Sequence, residues 1–264
     1  MTQLVKRDRR SQSADWKESV LTVCGEAISV YSAVMTIRRP LRRRSKDGSP
    51  HVTDERFNTA SHLVASIFAL LGTVVLVGAA SVAAKPWHIV SFSIYGLSLF
   101  SLFLASTLHH GVEGSRVVEE RLRSFDYYAI FLLIAGSFTP ICLVVVGGLM
   151  GWAVFGVDWA VAVVGVVLKA MRPMTPKWIF LTFFGAMGWM ALALVPAAGR
   201  TLPFAALVWL LAGGILYSGG AVVFTRERPN PLPGVFGFHE IWHLAVIAGA
   251  LAHFFFMFQY VLPL

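Results

Sequence analysis

Residues 57–83 read FNTASHLVASIFALLGTVVLVGAASVA, a stretch with no Asp, Glu, Lys or Arg. Wound as an α-helix at about 1.5 Å per residue, it is long enough to cross the roughly 30 Å hydrocarbon core of a bilayer. Six further apolar stretches of spanning length follow, approximately at 88–109, 126–146, 149–168, 178–199, 203–224 and 239–262. Short polar or Gly/Pro-containing joints separate them. Sharing the 208 residues from 57 onward among seven stretches allows about 30 residues for each helix with its loop, so no soluble domain is inserted. The period-two alternation of a transmembrane barrel is absent. The expected fold is all-α, a polytopic membrane protein built as a seven-transmembrane-helix bundle.

Composition agrees. The chain is 56% hydrophobic and 14% charged, against about 25% charged in ordinary soluble domains, and its mean hydropathy is +0.69. The formal net charge of +8 is unevenly placed, because residues 1–56 carry 12 of the 22 Lys and Arg. Two regions are therefore expected: a basic N-terminal segment, 1–54, and a seven-helix transmembrane domain, 55–264. Within the first, Trp16 to Ile37 has an amphipathic helical pattern, with Leu21, Cys24, Ile28, Tyr31 and Met35 on one stripe. The cluster Arg38, Arg39, Arg42, Arg43, Arg44 and Lys46 follows it. Stripe and cluster together predict contact with anionic lipid headgroups at a membrane surface, with a leader lacking fixed structure as the alternative. Glu26 interrupts the one run that could serve as a secretory signal, so none is expected.

Loop charge sets the expected orientation. With the N-terminus in the cytoplasm, the inside loops hold Arg116, Arg121, Arg123, Lys169, Arg172, Lys177, Arg226 and Arg228, and the outside loops hold Lys85 and Arg200. Positive residues concentrate on the cytoplasmic side of membrane proteins. The N-terminus is therefore expected inside and the C-terminus outside. Membrane lipids are the expected partners, and the basic excess requires no nucleic acid. Two cysteines, Cys24 and Cys142, supply neither a disulfide framework nor a thiolate metal site.

Ionisable groups within spanning helices are costly and point to function. Glu55, Asn58 and His62 open the first stretch on one helical face; Ser106, His109 and His110 end the second; Asp126 opens the third; His239, Glu240 and His243 open the seventh. With seven alternating spans, all four of these ends lie at one membrane face, the cytoplasmic one in the expected orientation. His239 and His243, one turn apart, present both rings on the same side of a helix, and His110 would complete a three-histidine site. Three protein ligands with a position left for water is the ligand count of catalytic rather than structural zinc. Asp126 would then orient or deprotonate the water, and Ser106, one turn from His110, would hydrogen-bond it or a ligand. The plain alternative is that these groups cap helix ends and bond one another.

Residues 239–243 also read HEIWH, the H-E-x-x-H spacing in which two histidines hold zinc and the glutamate acts as base. This keeps an intramembrane metalloprotease, with Glu240 as base, among the readings. His253, ten residues beyond His243, is too far for the same metal and is expected as a hydrogen-bonded core histidine. Asp158 reads equally as a proton or ion group or as a hydrogen-bonded buried carboxyl. His51 and His88 are expected at solvated flanks, and Gly147 with Gly151 is expected to mark a turn. No P-loop, G-x-G-x-x-G or G-x-S-x-G occurs, which argues against nucleotide binding and a serine-hydrolase elbow.

Four blocks, in order, resemble the hemolysin III family, part of the larger progestin and adipoQ receptor superfamily. They are Glu55-Arg56-Phe57-Asn58-Thr59-Ala60-Ser61-His62, Ser106-Thr107-Leu108-His109-His110, Phe125-Asp126-Tyr127-Tyr128 through Thr139-Pro140, and Arg228-Pro229-Asn230-Pro231 through His239-Glu240-Ile241-Trp242-His243. The resemblance covers about residues 55–262. It implies a seven-helix bundle with zinc near the cytoplasmic face, held by His110, His239 and His243 with Ser106 and Asp126 close by. It also implies the bacterial cell membrane as the location. Receptor-branch members are associated with ceramidase-like amide hydrolysis, and bacterial members carry the hemolysin name. Tyr127 stands where bacterial relatives often have His, and His109 where an aromatic residue is common; the spacing from Ser106 favours His110 as the ligand. Two functions follow as expectations: a zinc-dependent hydrolase of a lipid amide or ester with Asp126 as base, or a non-enzymatic protein of membrane permeability or homeostasis with structural zinc.

Overall fold

The computed structural model describes residues 45–264. The amphipathic helix expected over Trp16 to Ile37, and Cys24, fall outside the described residues. Among the described residues, seven helices are long and apolar enough to span a membrane: α1 (Glu55–Val82), α2 (Pro86–Gly111), α3 (Arg116–Val146), α4 (Gly148–Met171), α5 (Lys177–Ala198), α6 (Phe204–Arg226) and α7 (Phe238–Val261). No strand occurs among the described residues, only an isolated bridge between Leu232 and Phe236. The chain is thus an all-α, seven-span, integral multi-pass membrane protein.

Local chemistry explains the helix ends. Asp54 caps α1, its carboxylate accepting from the N–H groups of Arg56 (3.0 Å) and Phe57 (3.1 Å), which are otherwise unpaired donors of the first turn. Hydropathy places the third span from residue 126, yet α3 begins at Arg116, with Ser115 at its cap. The added turns carry charge, including the Arg116–Glu120 pair at 2.9 Å, and so continue the helix without looking apolar. Asp126 consequently sits well inside α3 rather than at its start. Past Pro140, which has no N–H to give, α3 continues in π geometry over Ile141–Val146. Gly147 (φ +62°) and Gly148 (φ +55°) then turn the chain, the turn expected there. Gly151 does more than turn: a Cβ on it would lie 2.1 Å from the carbonyl oxygen of Cys142, so only glycine lets α4 pass this close to α3.

Apolar side chains face both ways. Phe92, Tyr95, Phe131, Phe256 and Leu76 are buried between helices, while Phe68, Val74, Leu149, Val163 and Leu251 face outward. So much exposed apolar surface suits contact with lipid chains rather than water. The buried face of α1 is lined by Ala60, Ala65, Ala69 and Ala80, and small residues let helices approach closely in a membrane. Cys142 is buried with a free thiol.

One expectation about the loop ends fails. His88, expected at a solvated flank, is buried, and its Nε2–H donates to the carbonyl of Val261 at 3.1 Å. Lys85 donates to the carbonyls of Leu262 (3.0 Å) and Pro263 (3.1 Å). Carbonyls past the last turn of α7 need donors, and the start of α2 provides them. His51 is exposed as expected, with a 46% accessible side chain 3.9 Å from Glu227.

Candidate metal centre

The start of α7, the end of α2 and the start of α1 bring their histidines together. Nε2 of His239 lies 3.3 Å from Nε2 of His110 and 3.1 Å from Nε2 of His243. All three residues are buried. The adjacent His109 turns away, its Nε2 donating to Asp47 Oδ1 at 3.2 Å, so His110 is the member of that pair within the trio. His62 stacks on His243, ring centroids 3.8 Å apart and planes 24° from parallel, and meets Phe103 edge-on. Neither ring nitrogen of His62 has a hydrogen-bond partner among the described residues.

Two of the three rings are backed by carboxylates. His110 Nδ1–H donates to Glu55 Oε2 at 2.6 Å, and Glu55 Oε1 accepts from Thr53 Oγ1–H at 2.8 Å. His239 Nδ1 lies 3.2 Å from Asp47 Oδ2. Burial by itself would raise the Asp47 carboxyl; the facing His239, then the bond from His109, outweigh it and hold the group well below the usual carboxylate range.

This arrangement fits a metal ion. With Nδ1–H committed to Glu55, neutral His110 turns its Nε2 lone pair toward Nε2 of His239, 3.3 Å away, where a shared cation or proton satisfies both nitrogens. Tetrahedral coordination at about 2.0–2.1 Å per nitrogen puts ligand nitrogens about 3.3 Å apart, close to the separations found. Glu55 and Asp47 also place two negative charges against the rings, which a divalent ion would offset. The buried group can hold a metal ion. Asp47, His109 and His110 form a second, overlapping group with that capacity.

Ser106 and Asp126 line the same cavity as the three histidines. Its volume is about 390 Å³, and beyond the rings its walls are mainly apolar, with Leu133, Ile134, Phe184, Leu211 and Val246 among them and Ser137, Tyr217 and Ser218 as polar exceptions. It extends along α7 to His253, whose Nε2–H donates to the carbonyl of Leu210 at 3.2 Å, the hydrogen-bonded role expected of that residue. Asp158 stands apart from this cavity, fully buried, with neither oxygen hydrogen-bonded among the described residues.

Glu240 has other work. Oε1 accepts from the N–H of Asp54 (2.7 Å) and from Asn58 Nδ2–H (3.2 Å), and Oε2 accepts from the N–H of Gly237 (2.7 Å). It closes the first turn of α7 and ties it to α1, with Asn58 as its partner. Asp47 is a contributor that the sequence patterns miss. It stands ahead of α1 among charged and turn-forming residues, where only a fold could reveal that it reaches the histidines.

A seven-helix membrane protein with a buried histidine–carboxylate cluster at one end of the bundle is the class that fold and site define. The model of the "Haemolysin-III related" family matches residues 51–254, and the chain belongs to that family. Relatives include "Hemolysin-3" of Bacillus cereus, 34% identical over 212 residues, 80% of this chain and 94% of that protein. "Hemolysin-3 homolog" of Bacillus subtilis is 32% identical, covering 77% of this chain and 92% of its own. The human "Monocyte to macrophage differentiation factor" is 27% identical over 88% of this chain and 93% of its own.

Proposed function

We propose that the chain is a zinc-dependent membrane hydrolase acting on a lipid amide or ester. The observation that carries the reading is the convergence of three Nε2 atoms, two of them backed by carboxylates, on one wall of a mainly apolar cavity. His110, His239 and His243 would hold the ion. When bound, zinc supplies Lewis-acid polarisation of a carbonyl and activation of water. Asp126, facing the cavity, accepts a proton from water; Ser106 donates a hydrogen bond to the substrate; Glu55 and Asn58 support the ring of His110 and the seat of Glu240; His62 packs the ring of His243. The apolar walls seat an acyl chain and keep bulk water from the reacting bond.

Loop charge supports a cytoplasmic N-terminus, an outside C-terminus and a centre near the cytoplasmic face of a bacterial cell membrane. The basic segment 1–54 would rest on anionic headgroups, with its last residues reaching the centre. A phosphatase reporter fused after Leu264 is expected to be active outside the cell and a cytoplasmic reporter inactive; the reverse pattern overturns the orientation.

The hemolysin names of the Bacillus proteins favour a second reading, a permeability factor with structural zinc. The protease reading loses ground, because both oxygens of Glu240 are occupied by donors at 2.7–3.2 Å. Purified protein incubated with ceramide-type amides and glycerol esters is expected to release fatty acid, with no dye leakage from liposomes beyond that of empty detergent. Leakage without fatty-acid release would instead establish the second reading.

A further inference from the structure

We infer that Lys46 and Asp47, ahead of α1, form a positioning unit of the metal centre: Asp47 fixes the ring of His239, and Lys46 fixes Asp47 on the end of α2. The inference rests on the centre proposed above and adds a part that lies outside the seven helices.

The anchor is built from unpaired backbone carbonyls. Lys46 Nζ donates to the carbonyls of His109 (3.0 Å), His110 (2.9 Å) and Val112 (2.7 Å). A helix leaves its last carbonyls without partners and carries partial negative charge there, so an ammonium at that point is held by both hydrogen bonds and the helix dipole. The same helix end bears His110. The backbone N–H of Lys46 also donates to Glu55 Oε1 at 3.3 Å, the carboxylate that backs His110.

The turn that follows delivers the next residue to the rings. Gly48 has φ +80°, a conformation that favours glycine, and its N–H donates to the carbonyl of Ser45 at 3.2 Å. On the far side of the turn, Ser49 Oγ–H donates to Glu227 Oε2 at 2.8 Å. With both flanks tethered, the Asp47 carboxylate sits between Nε2 of His109 and Nδ1 of His239, each 3.2 Å away, and is 7% exposed.

Giving Nδ1–H to a carboxylate selects the tautomer with a lone pair on Nε2, orients the ring and makes it a more basic ligand. Glu55 does this for His110 from α1. Asp47 faces His239 from a segment that is not part of the bundle, its Oδ2 3.2 Å from Nδ1 as a close carboxylate–ring contact and not a hydrogen bond, and His243 Nδ1 has no carboxylate or other hydrogen-bond partner among the described residues. Metal affinity therefore depends on the docking of residues 45–49.

Zinc competition against a chromophoric chelator, on the detergent-purified full chain, tests this. Asp47→Ala is expected to weaken zinc binding about 10- to 100-fold, the loss typical of a carboxylate behind a ligating histidine. Asp47→Asn, which keeps an acceptor without the charge, should fall between, and Lys46→Met should weaken binding in the same direction. Cobalt(II) in place of zinc should show shifted absorption bands in Asp47→Ala, while the metal-free protein melts at the wild-type temperature. Equal affinity in Asp47→Ala overturns the assignment. So does a loss that merely follows a lower melting temperature of the metal-free protein, with the cobalt bands unchanged. A wild-type protein that binds no zinc overturns the centre itself, and this unit with it.

Discussion

His243→Ala is expected to leave detergent-purified protein without stoichiometric metal, while the wild type retains about one ion per chain. Three imidazoles are the smallest set that holds zinc tightly while leaving a position for water. Removing one leaves two nitrogens, so the loss should exceed the roughly 10- to 100-fold typical of losing only a backing carboxylate. Nε2 of His239 lies within 3.3 Å of both partner nitrogens, so His239→Ala should lose the metal at least as completely. Metal analysis by mass spectrometry, with unfolding checked by circular dichroism, reads the result. Retention of stoichiometric zinc in His243→Ala would exclude the three-histidine site.

Asp126→Asn separates chemistry from binding. The carboxyl lines the cavity with the three histidines but is not among the groups whose ligand atoms cluster closely enough to share an ion. The amide has nearly the same shape and cannot accept the proton from water. Turnover of a lipid amide or ester should fall by about 10²- to 10⁴-fold, the usual contribution of a general base, with zinc content unchanged. A variant that hydrolyses at the wild-type rate would remove Asp126 from the reaction. One that loses its zinc would make Asp126 a ligand rather than a base.

The sequence exposes some parts of the centre readily. His239 and His243 are one turn apart, Ser106 and His110 likewise, and four motifs fall at ends of spans that topology must gather at one face. The helix count is equally plain, because each span is a long apolar run with no competing pattern. The hidden parts share a cause. Asp47 makes its contacts across 62 and 192 residues of chain, to His109 and His239, and no local period links them. Glu240 matches a catalytic spacing, yet its orientation toward Gly237, Asp54 and Asn58 depends on where α1 lies against α7. The first ten residues of α3 are charged enough to look like a loop, and hydropathy finds only the part of a helix that lipid surrounds.

The opening run 57–83 and its six successors were sufficient to determine a seven-helix membrane protein, because a bilayer admits few structures whose backbone groups are satisfied internally. That constraint acts on each segment by itself and so can be read residue by residue. Only the tertiary structure decided which carboxylates face the rings and that Glu240 is a helix cap. Those choices depend on hydrogen-bond directions a few ångströms long between segments far apart in the chain, and they exist only once the helices have packed.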